Sequence, residues 1–184
     1  MTTRNLSLPS LISSSEETEP ENQRYLKYFD PETGESYVPY CVETSIGVDR
    51  MFLAVMSHAY KEETLQNGET RTVLSHPAPL APIKAAVLPL IKKDGLPEFA
   101  QKVMDILKYD YNCQYDEKDS IGKRYRRQDA IGTPFCITVD HESLKDNCVT
   151  VRDRDTMQQQ RVPVAELKTL LDSKVNLNNL LRNL

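Results

Sequence analysis

The chain has 184 residues, a formal net charge of −4 and a hydrophobic content of 39%, which fits one globular domain with a short additional segment. Mean hydropathy is −0.53, and no apolar run approaches the roughly 20 residues that span a bilayer, so membrane insertion is not expected. The acidic excess lies in residues 1–82, whereas residues 83–184 carry a small basic excess. Such a balance allows a nucleic-acid partner without requiring one.

The first 82 residues predict a leader, a pair of short strands, a helix and a linker. Residues 1–24 are rich in Ser, Thr and Glu and predict a disordered leader. Residues 25–42 predict two short strands around a turn at 30–34, where Pro and Gly supply turn conformations. A buried helix is predicted over 50–63, because its first two turns are apolar almost all round. Residues 64–82 predict a linker, since they hold an Asn-Gly pair and three prolines.

From residue 83 onward, strand and helix patterns alternate. The predicted strands are 83–90, 112–115, 135–139, 148–152 and 160–162, and the predicted helices are 96–109, 120–130 and 164–171. In the first of these helices the core face is predicted to hold Phe99, Val103, Ile106 and Leu107. The alternation predicts an α/β fold, a mixed five-stranded sheet flanked by helices.

Several chemistries find no support in the sequence. There is no phosphate-binding loop of the GxxxxGK[ST] type and no GxSxG motif. The three histidines, His58, His76 and His141, are far apart and lack obvious triad partners, so we interpret each as structural or exposed. No cysteine or histidine cluster has zinc-ligand spacing, and no metal site is predicted.

Residues 37–56 join a strand, a polar turn and an apolar helix. In the turn, Glu43 and Ser45 suit a small substrate that carries an ammonium group, and Gly47 allows a ligand to approach the backbone closely. Arg50, at the predicted helix start, can stack on a base and pair with phosphate. The alternative is that these polar residues only cap the helix, and the spacing alone does not decide between the two.

Residues 43–50 read ETSIGVDR, which resembles motif 3 of class II aminoacyl-tRNA synthetases in its glycyl form. Residues 27–42, KYFDPETGESYVPYCV, resemble the strands that lead into that motif. The resemblance implies a glycine pocket lined by Glu43, Thr44, Ser45, Ile46 and Gly47. It implies ATP contacts from Gly47, Val48, Asp49 and Arg50, with Mg²⁺ accompanying the ATP.

Three later segments resemble the anticodon-binding domain of the same family. They are LAPIKAAVLPLIKKDGLPEFA at 80–100, SIGKRYRRQDAIGTPFCITVD at 120–140 and VTVRDRDTMQQQRVPVAEL at 149–167. The implied organisation is a disordered leader (1–24), a strand-turn-helix remnant of the antiparallel catalytic domain with motif 3 (25–76), a Pro-rich linker (77–82), an anticodon-binding domain (83–175) and a tail (176–184).

Two basic segments have the chemistry that single-stranded RNA requires. The first holds Lys123, Arg124, Arg126 and Arg127 with Tyr125 between them; arginine pairs with phosphate and stacks on bases. The second is Arg152, Asp153 and Arg154, whose donors and acceptor can read base edges. The alternative is that these Arg and Asp residues form surface salt bridges, each worth at most about 1 kcal/mol. With the resemblance, we predict that some of these residues contact the anticodon, and the spacing does not decide which of them point outward. The candidates for tRNA contact are Lys123, Arg124, Arg126, Arg127, Arg152, Asp153 and Arg154.

The resemblance implies ATP-dependent attachment of glycine to tRNA(Gly) in the cytoplasm, with this chain supplying anticodon binding and the motif 3 edge of the glycine and ATP site. Motifs 1 and 2 of the family are not recognisable here, so we expect no glycine-dependent ATP–pyrophosphate exchange from this chain alone. Its expected partners are tRNA(Gly) and the rest of a synthetase or a homodimer partner. The alternatives are a free-standing RNA-binding module and an accessory subunit without ligase activity.

Overall fold

A computed structural model describes residues 27–40, 42–65 and 68–182; the leader predicted over 1–24 lies outside them. The chain divides into two compact units, Met1–Gly47 and Val48–Leu184. The first holds an antiparallel pair of two-residue strands, β1 (Tyr28–Phe29) and β2 (Ser36–Tyr37). Gly34 lies between them at φ 71°, a left-handed conformation that glycine adopts without steric cost. The predicted strands around this turn are confirmed, although they are shorter than expected.

The second unit contains the remaining helices and strands. In chain order they are α1 (Val48–Ala59), β3 (Tyr60–Thr64), β4 (Thr70–Leu74), a 3-10 turn (Ala78–Leu80), β5 (Ala85–Pro89), α2 (Leu96–Leu107), β6 (Cys113–Tyr115), α3 (Ile121–Ile131), β7 (Phe135–Val139), α4 (Ser143–Asp146), β8 (Cys148–Asp153), β9 (Gln159–Pro163), α5 (Val164–Val175) and α6 (Leu177–Leu181). Every strand and helix predicted from residue 83 onward is present.

The main sheet has five strands in the order β6-β5-β7-β8-β9. Strand β5 is parallel to both β6 and β7, whereas β7, β8 and β9 are antiparallel. The connections from β5 to β6 and from β6 to β7 cross the sheet in opposite directions. Because parallel crossovers are almost always right-handed, α2 and α3 are expected on opposite faces. The structure confirms the predicted mixed five-stranded sheet.

Each face of the sheet has its own core. On one face, α2 and α5 cover alternate strand residues, among them Val87, Ile137 and Val151. On the other face, Ile121 and Tyr125 of α3 pack against Ala86, Leu88 and Cys136. Successive strand residues point to opposite faces, so a strand covered on both sides is apolar throughout, as all five residues of β5 are buried. This arrangement places α3 over the face opposite α2 and α5.

The predicted linker over 64–82 is wrong in its first part, because residues 60–74 form a hairpin. Helix α1 ends at Ala59 rather than at residue 63, and β3 begins at the next residue. Strand β4 alternates exposed and buried residues, with Arg71 and Val73 buried. Gly68 adopts φ 80° between the strands. An Asn-Gly pair between β-branched residues is a hairpin signal, and it outweighs the linker interpretation.

Two predictions of burial are also wrong. The first turns of α1 are exposed, with Val48 80% and Phe52 and Leu53 each 66% accessible, because no described element of the second unit covers them. On α2, Ile106 is 46% exposed, and the buried stripe instead contains Leu96, Ala100, Val103 and Leu107. Among the described residues, no helix has both the length and the apolar character needed to cross a bilayer.

Candidate nucleic-acid interface

Helix α3 divides its basic residues between the protein interior and the surface. The helix follows Ser120 and is capped at its C-terminus by Gly132, which adopts φ 82°. Its buried side consists of Arg124, Gln128 and Asp129, which recur at helical spacing. The side chains of Lys123, Arg126 and Arg127 lie on the outer side, where Lys123 and Arg127 are exposed and Arg126 is half-buried.

Arg124 is a structural residue in this arrangement. It is 2% exposed, and its guanidinium donates hydrogen bonds to the carbonyl oxygens of Pro89 at 2.6 Å, Leu90 at 3.1 Å and Asp116 at 3.2 Å. Burial lowers the pKa of Arg124. Because these contacts hold the end of β5 against the segment after β6, the structure offers no surface for the predicted RNA contact of Arg124.

Two of the outer basic residues, Arg126 and Arg127, have carboxylate partners. Arg126 forms an ion pair with Glu69 and donates to the carbonyl oxygen of Thr70 at 3.1 Å. Arg127 pairs with Asp116 and with Asp119, each at 2.8 Å. The hydrogen bonds that Arg127 donates to the carboxylates of Asp116 and Asp119 raise the pKa of Arg127. The pairs of Arg126 with Glu69 and of Arg127 with Asp119 are exposed. Exposed pairs contribute little to stability, so these two carboxylates can be exchanged for a phosphate at small cost.

Arg152 lies inside the protein rather than at the sheet surface. Its guanidinium donates to the two carboxylate oxygens of Asp129 at 2.8 and 3.0 Å. It also lies 4.8 Å from the ring centroid of Tyr125, whose hydroxyl is hydrogen-bonded to Thr138 at 2.6 Å. Burial lowers the pKa of Arg152, the Asp129 carboxylate raises it, and the net direction is upward. Tyr125 is therefore a platform for Arg152, not for an RNA base.

Arg154 is likewise buried, at 2% exposure. It donates to the carbonyl oxygens of His76 and Gly132, each at 2.8 Å, and forms an ion pair with Asp155. Arg152 and Arg154 therefore form ion pairs, as the sequence alternative predicts. The Arg152–Asp129 pair lies in the interior, whereas Asp155, the partner of Arg154, is 52% exposed. Of the second predicted RNA segment, only Asp153 reaches the surface, and it is half-buried.

Arg71, which no sequence pattern singles out, joins the hairpin to α3. Its Nη1 lies 3.0 Å from Asp129 Oδ2 and 3.1 Å from the carbonyl oxygen of Arg154, and its Nη2 lies 2.7 Å from Glu63. Arg71 and Asp129 are both almost fully buried. The Asn-Gly hairpin signal would have placed Arg71 on a strand, but nothing in the sequence identifies Asp129 as its partner.

A cleft of about 490 Å³ lies at the end of the sheet, beside α5. Its lining includes apolar side chains from Phe135, Val151 and Leu170 and polar side chains from Asp153, Gln158, Gln160 and Lys174. The backbone pairing of Phe135 with Asp153 and of Val151 with Gln160 places these residues side by side. Amide and carboxylate groups above an apolar floor are suited to the edge and face of a base.

The residues of the motif 3 resemblance fall in both units. Glu43–Gly47 belong to the first unit, outside any helix or strand, and are exposed. Val48, Asp49 and Arg50 form the first turn of α1 in the second unit and are exposed as well. The described residues contain no group of three or more His, Cys, Asp or Glu side chains arranged to hold a metal ion.

Comparison with known proteins gives a family for the region that contains the sheet. Residues 84–174 match the family described as "Anticodon binding domain". The glycine–tRNA ligase of Macrococcus caseolyticus is 60% identical over 149 residues, 80% of this chain and 32% of that protein. That of Acetivibrio thermocellus is 55% identical over 150 residues, 81% of this chain and 32% of that protein.

Residues 84–174 belong to the anticodon-binding domain family. The chain spans about a third of the length of these ligases. Solved structures agree on the fold of the anticodon-binding domain. A prolyl-tRNA synthetase from Cryptosporidium parvum aligns with a TM-score of 0.50 at 18% identity, over 65% of this chain and 32% of its own. The RNA binding domain of a threonyl-tRNA synthetase from the same species aligns with a TM-score of 0.50 at 24% identity, over 55% of this chain and 27% of its own.

Proposed function

We propose that this chain binds the anticodon region of tRNA(Gly) as part of a glycine–tRNA ligase that works in the cytoplasm. The observation that carries the proposal is the anticodon-binding domain at residues 84–174, in a chain 55–60% identical to glycine–tRNA ligases. Anticodon bases are single-stranded, and proteins recognise such RNA through phosphate contacts together with hydrogen bonds to exposed base edges.

The surface of α3 supports the phosphate part of this proposal. Lys123, Arg126 and Arg127 project from one side of the helix and are accessible. Arginine is suited to phosphate because its planar guanidinium can donate two hydrogen bonds at once. Arg124, Arg152 and Arg154 are assigned to the interior instead, where they hold the helix and the sheet edge that carry the accessible residues. Asp153 is the remaining candidate for a base contact, at the cleft beside α5.

The motif 3 segment supports a proposal about the ligase reaction itself. Glu43 would accept hydrogen bonds from the glycine ammonium and Ser45 would add a hydroxyl contact, with Thr44, Ile46 and Gly47 completing the pocket. Arg50, with Val48 and Asp49, would hold the adenine and the triphosphate of ATP, which brings its own Mg²⁺. The accessible positions of these side chains support such contacts, because each could reach a ligand without rearrangement of the core.

The exposed face of α1 supports a protein partner. Val48, Met51, Phe52 and Leu53 present an apolar surface, and surfaces of this kind mark protein contacts. We assign the rest of a class II catalytic domain to this face, since the matching ligases are about three times as long as the region shared with this chain. Amino-acid activation would then need that domain as well as this chain.

The phosphate contacts can be tested by salt-dependent binding of a tRNA(Gly) transcript. The variant K123Q/R126Q/R127Q should bind more weakly, and the slope of log affinity against log salt should become shallower by roughly 0.7 to 0.9 for each phosphate that the variant no longer binds. The charge-matched control is K93Q/K102Q/K145Q, whose lysines are exposed on other surfaces, and it should keep the wild-type slope. Equal slopes for the two variants would contradict the assignment to α3.

A further inference from the structure

We infer that the buried ion cluster formed by Glu63, Arg71, Asp129 and Arg152 is a positioning device that couples the RNA-binding side of α3 to α1, the helix that carries Arg50. This inference rests on the proposed function, because it takes RNA to bind at α3. The four side chains come from β3, β4, α3 and β8. The cluster therefore joins the hairpin to the anticodon-binding domain.

The hairpin is a direct extension of α1. Helix α1 ends at Ala59 and β3 starts at Tyr60 without a loop between them. Strand β3 pairs with β4 from Tyr60 to Thr64, and Glu63 lies directly opposite Arg71. A displacement of the hairpin is therefore transmitted to the C-terminal end of α1, since no loop is present to absorb it.

The cluster fixes the hairpin because its charges are balanced and three of its four side chains are almost fully buried. Arg71 and Arg152 share the carboxylate of Asp129. Arg71 lies 3.0 Å from it, and Arg152 donates to its two oxygens at 2.8 and 3.0 Å. Arg71 also binds Glu63 at 2.7 Å. The Arg71 and Asp129 side chains are each 2% exposed, whereas Glu63 is 40% exposed. Two cations meet two anions, so any shift of the hairpin away from α3 would leave buried charge without a partner.

A second contact between the hairpin and α3 lies at the surface, where RNA is proposed to bind. Arg126 forms an ion pair with Glu69, next to the start of β4, and binds the Thr70 carbonyl oxygen. A phosphate that engages Arg126 competes with Glu69 for the same guanidinium. RNA binding thus alters the outer contact of the hairpin, while the buried cluster keeps the hairpin and α3 moving as one body.

This arrangement predicts a coupling free energy between the RNA surface and α1, and such coupling is reciprocal. If the cluster is intact, RNA bound at α3 changes the local stability of the hairpin and α1. If Arg71 is removed, Asp129 keeps both bonds to Arg152, so α3 retains its position and its RNA surface. The connection through the cluster is broken while the contacts of Arg126 with Glu69 and Thr70 remain, which separates positioning by the cluster from a general loss of structure.

Amide hydrogen exchange of the 184-residue chain, with and without an RNA hairpin of the tRNA(Gly) anticodon arm, tests the inference. In the wild type, RNA should protect peptides from α3 and also change exchange in peptides from α1 and β3, within residues 48–64. In Arg71→Gln, RNA should still protect α3 with affinity within about threefold of wild type, but the change over 48–64 should disappear.

Two results would overturn the coupling. One is an RNA effect over 48–64 that persists unchanged in Arg71→Gln, and the other is no effect there in the wild type although α3 is protected. Absence of protection at α3 in the wild type would instead contradict the proposed function, so the two failures are distinguishable. Thermal unfolding checks that Arg71→Gln is folded; if it is not, Glu63→Gln removes the more exposed partner of Arg71 and is expected to reduce the same signal over 48–64.

Discussion

The guanidinium of Arg152 and the carboxylate of Asp129 form a two-point ion pair, with N–O distances of 2.8 and 3.0 Å, between a sheet strand and the helix that crosses it. Both side chains are buried, and Arg71 binds the same carboxylate. An arginine whose sequence context suggests RNA recognition therefore stabilises the platform on which accessible residues are presented.

Asp129→Asn should destabilise the protein strongly. The substitution removes a negative charge that two buried arginines share, and loss of one member of a buried pair typically costs about 3–5 kcal/mol. Urea unfolding followed by circular dichroism measures the change in unfolding free energy. The control is Asp105→Asn, because Asp105 of α2 forms an exposed ion pair with Lys108. This substitution should leave the unfolding midpoint nearly unchanged. Equal midpoints for the two variants would contradict the assigned role of Asp129.

Gly132→Ala should also destabilise the protein, for steric reasons. A Cβ at this position would lie 2.5 Å from His76 Nε2 and 3.0 Å from the carbonyl oxygen of Leu74, at a backbone φ of 82°. Clash and left-handed backbone together should cost about 1–3 kcal/mol. The matched control is Gly122→Ala on the same helix, where nothing lies within 4 Å and helix propensity predicts a gain of up to about 1 kcal/mol.

The double variant G132A/H76A separates the two causes. Removing the imidazole relieves the clash with the new Cβ but leaves the strained backbone, so the double variant should recover part of the stability that Gly132→Ala loses relative to His76→Ala alone. Additive losses in this cycle would show that the imidazole and residue 132 do not interact.

His76 predicts a pH dependence of stability. Burial, together with the nearby Arg154 cation, lowers the pKa of His76 below its ordinary value of 6.5. Between the lowered folded pKa and the unfolded pKa, the unfolded chain binds more protons, so unfolding free energy should fall as pH decreases below about 7. The loss of unfolding free energy should stop once the pH is below the pKa of His76 in the folded protein. Asp and Glu titrate mainly below about pH 5, so the window above it isolates His76.

Unfolding midpoints of wild type and His76→Gln between about pH 5.5 and 7.5, the range in which histidine titrates, measure this effect. The wild type should lose stability toward the acidic end, and His76→Gln should have a flatter profile over the same range. His141→Gln is the control, because His141 is exposed, and it should retain the wild-type slope. A profile for His76→Gln as steep as that of the wild type would contradict the assignment.

The sheet is predictable because its central strands are apolar on both faces. The runs at 83–90 and 135–139 are short, rich in aliphatic residues and flanked by turn residues, a pattern that leaves few alternatives to a buried strand. The hairpin at 60–74 escapes prediction because its Asn-Gly pair lies in the segment 64–82 together with three prolines, which favour a linker. Its exposed strand β3 has charged residues and no regular apolar alternation.

The location of the arginines does not follow from their spacing. Alternation along β8 places Arg152 on the face opposite Val151, but only the crossover of α3 shows that this face is covered. Asp129 lies far from Arg71 and Arg152 in the sequence, and no local pattern links the three. Helical periodicity could have separated Arg124 from Lys123 and Arg126, although it does not state which side faces the protein. It could not have separated Arg124 from Arg127, because residues three apart lie on the same side of a helix.

The central claim is that this chain reads the anticodon of tRNA(Gly), and equilibrium binding at one fixed salt concentration tests it most directly. The purified chain would be titrated with tRNA(Gly) and with a tRNA(Gly) that differs only in its anticodon bases. We expect the altered tRNA to bind at least about tenfold more weakly, a difference of about 1.4 kcal/mol, because hydrogen bonds to the bases are removed while those to phosphates remain. Equal Kd values for the two RNAs would contradict anticodon recognition and leave only non-specific RNA binding.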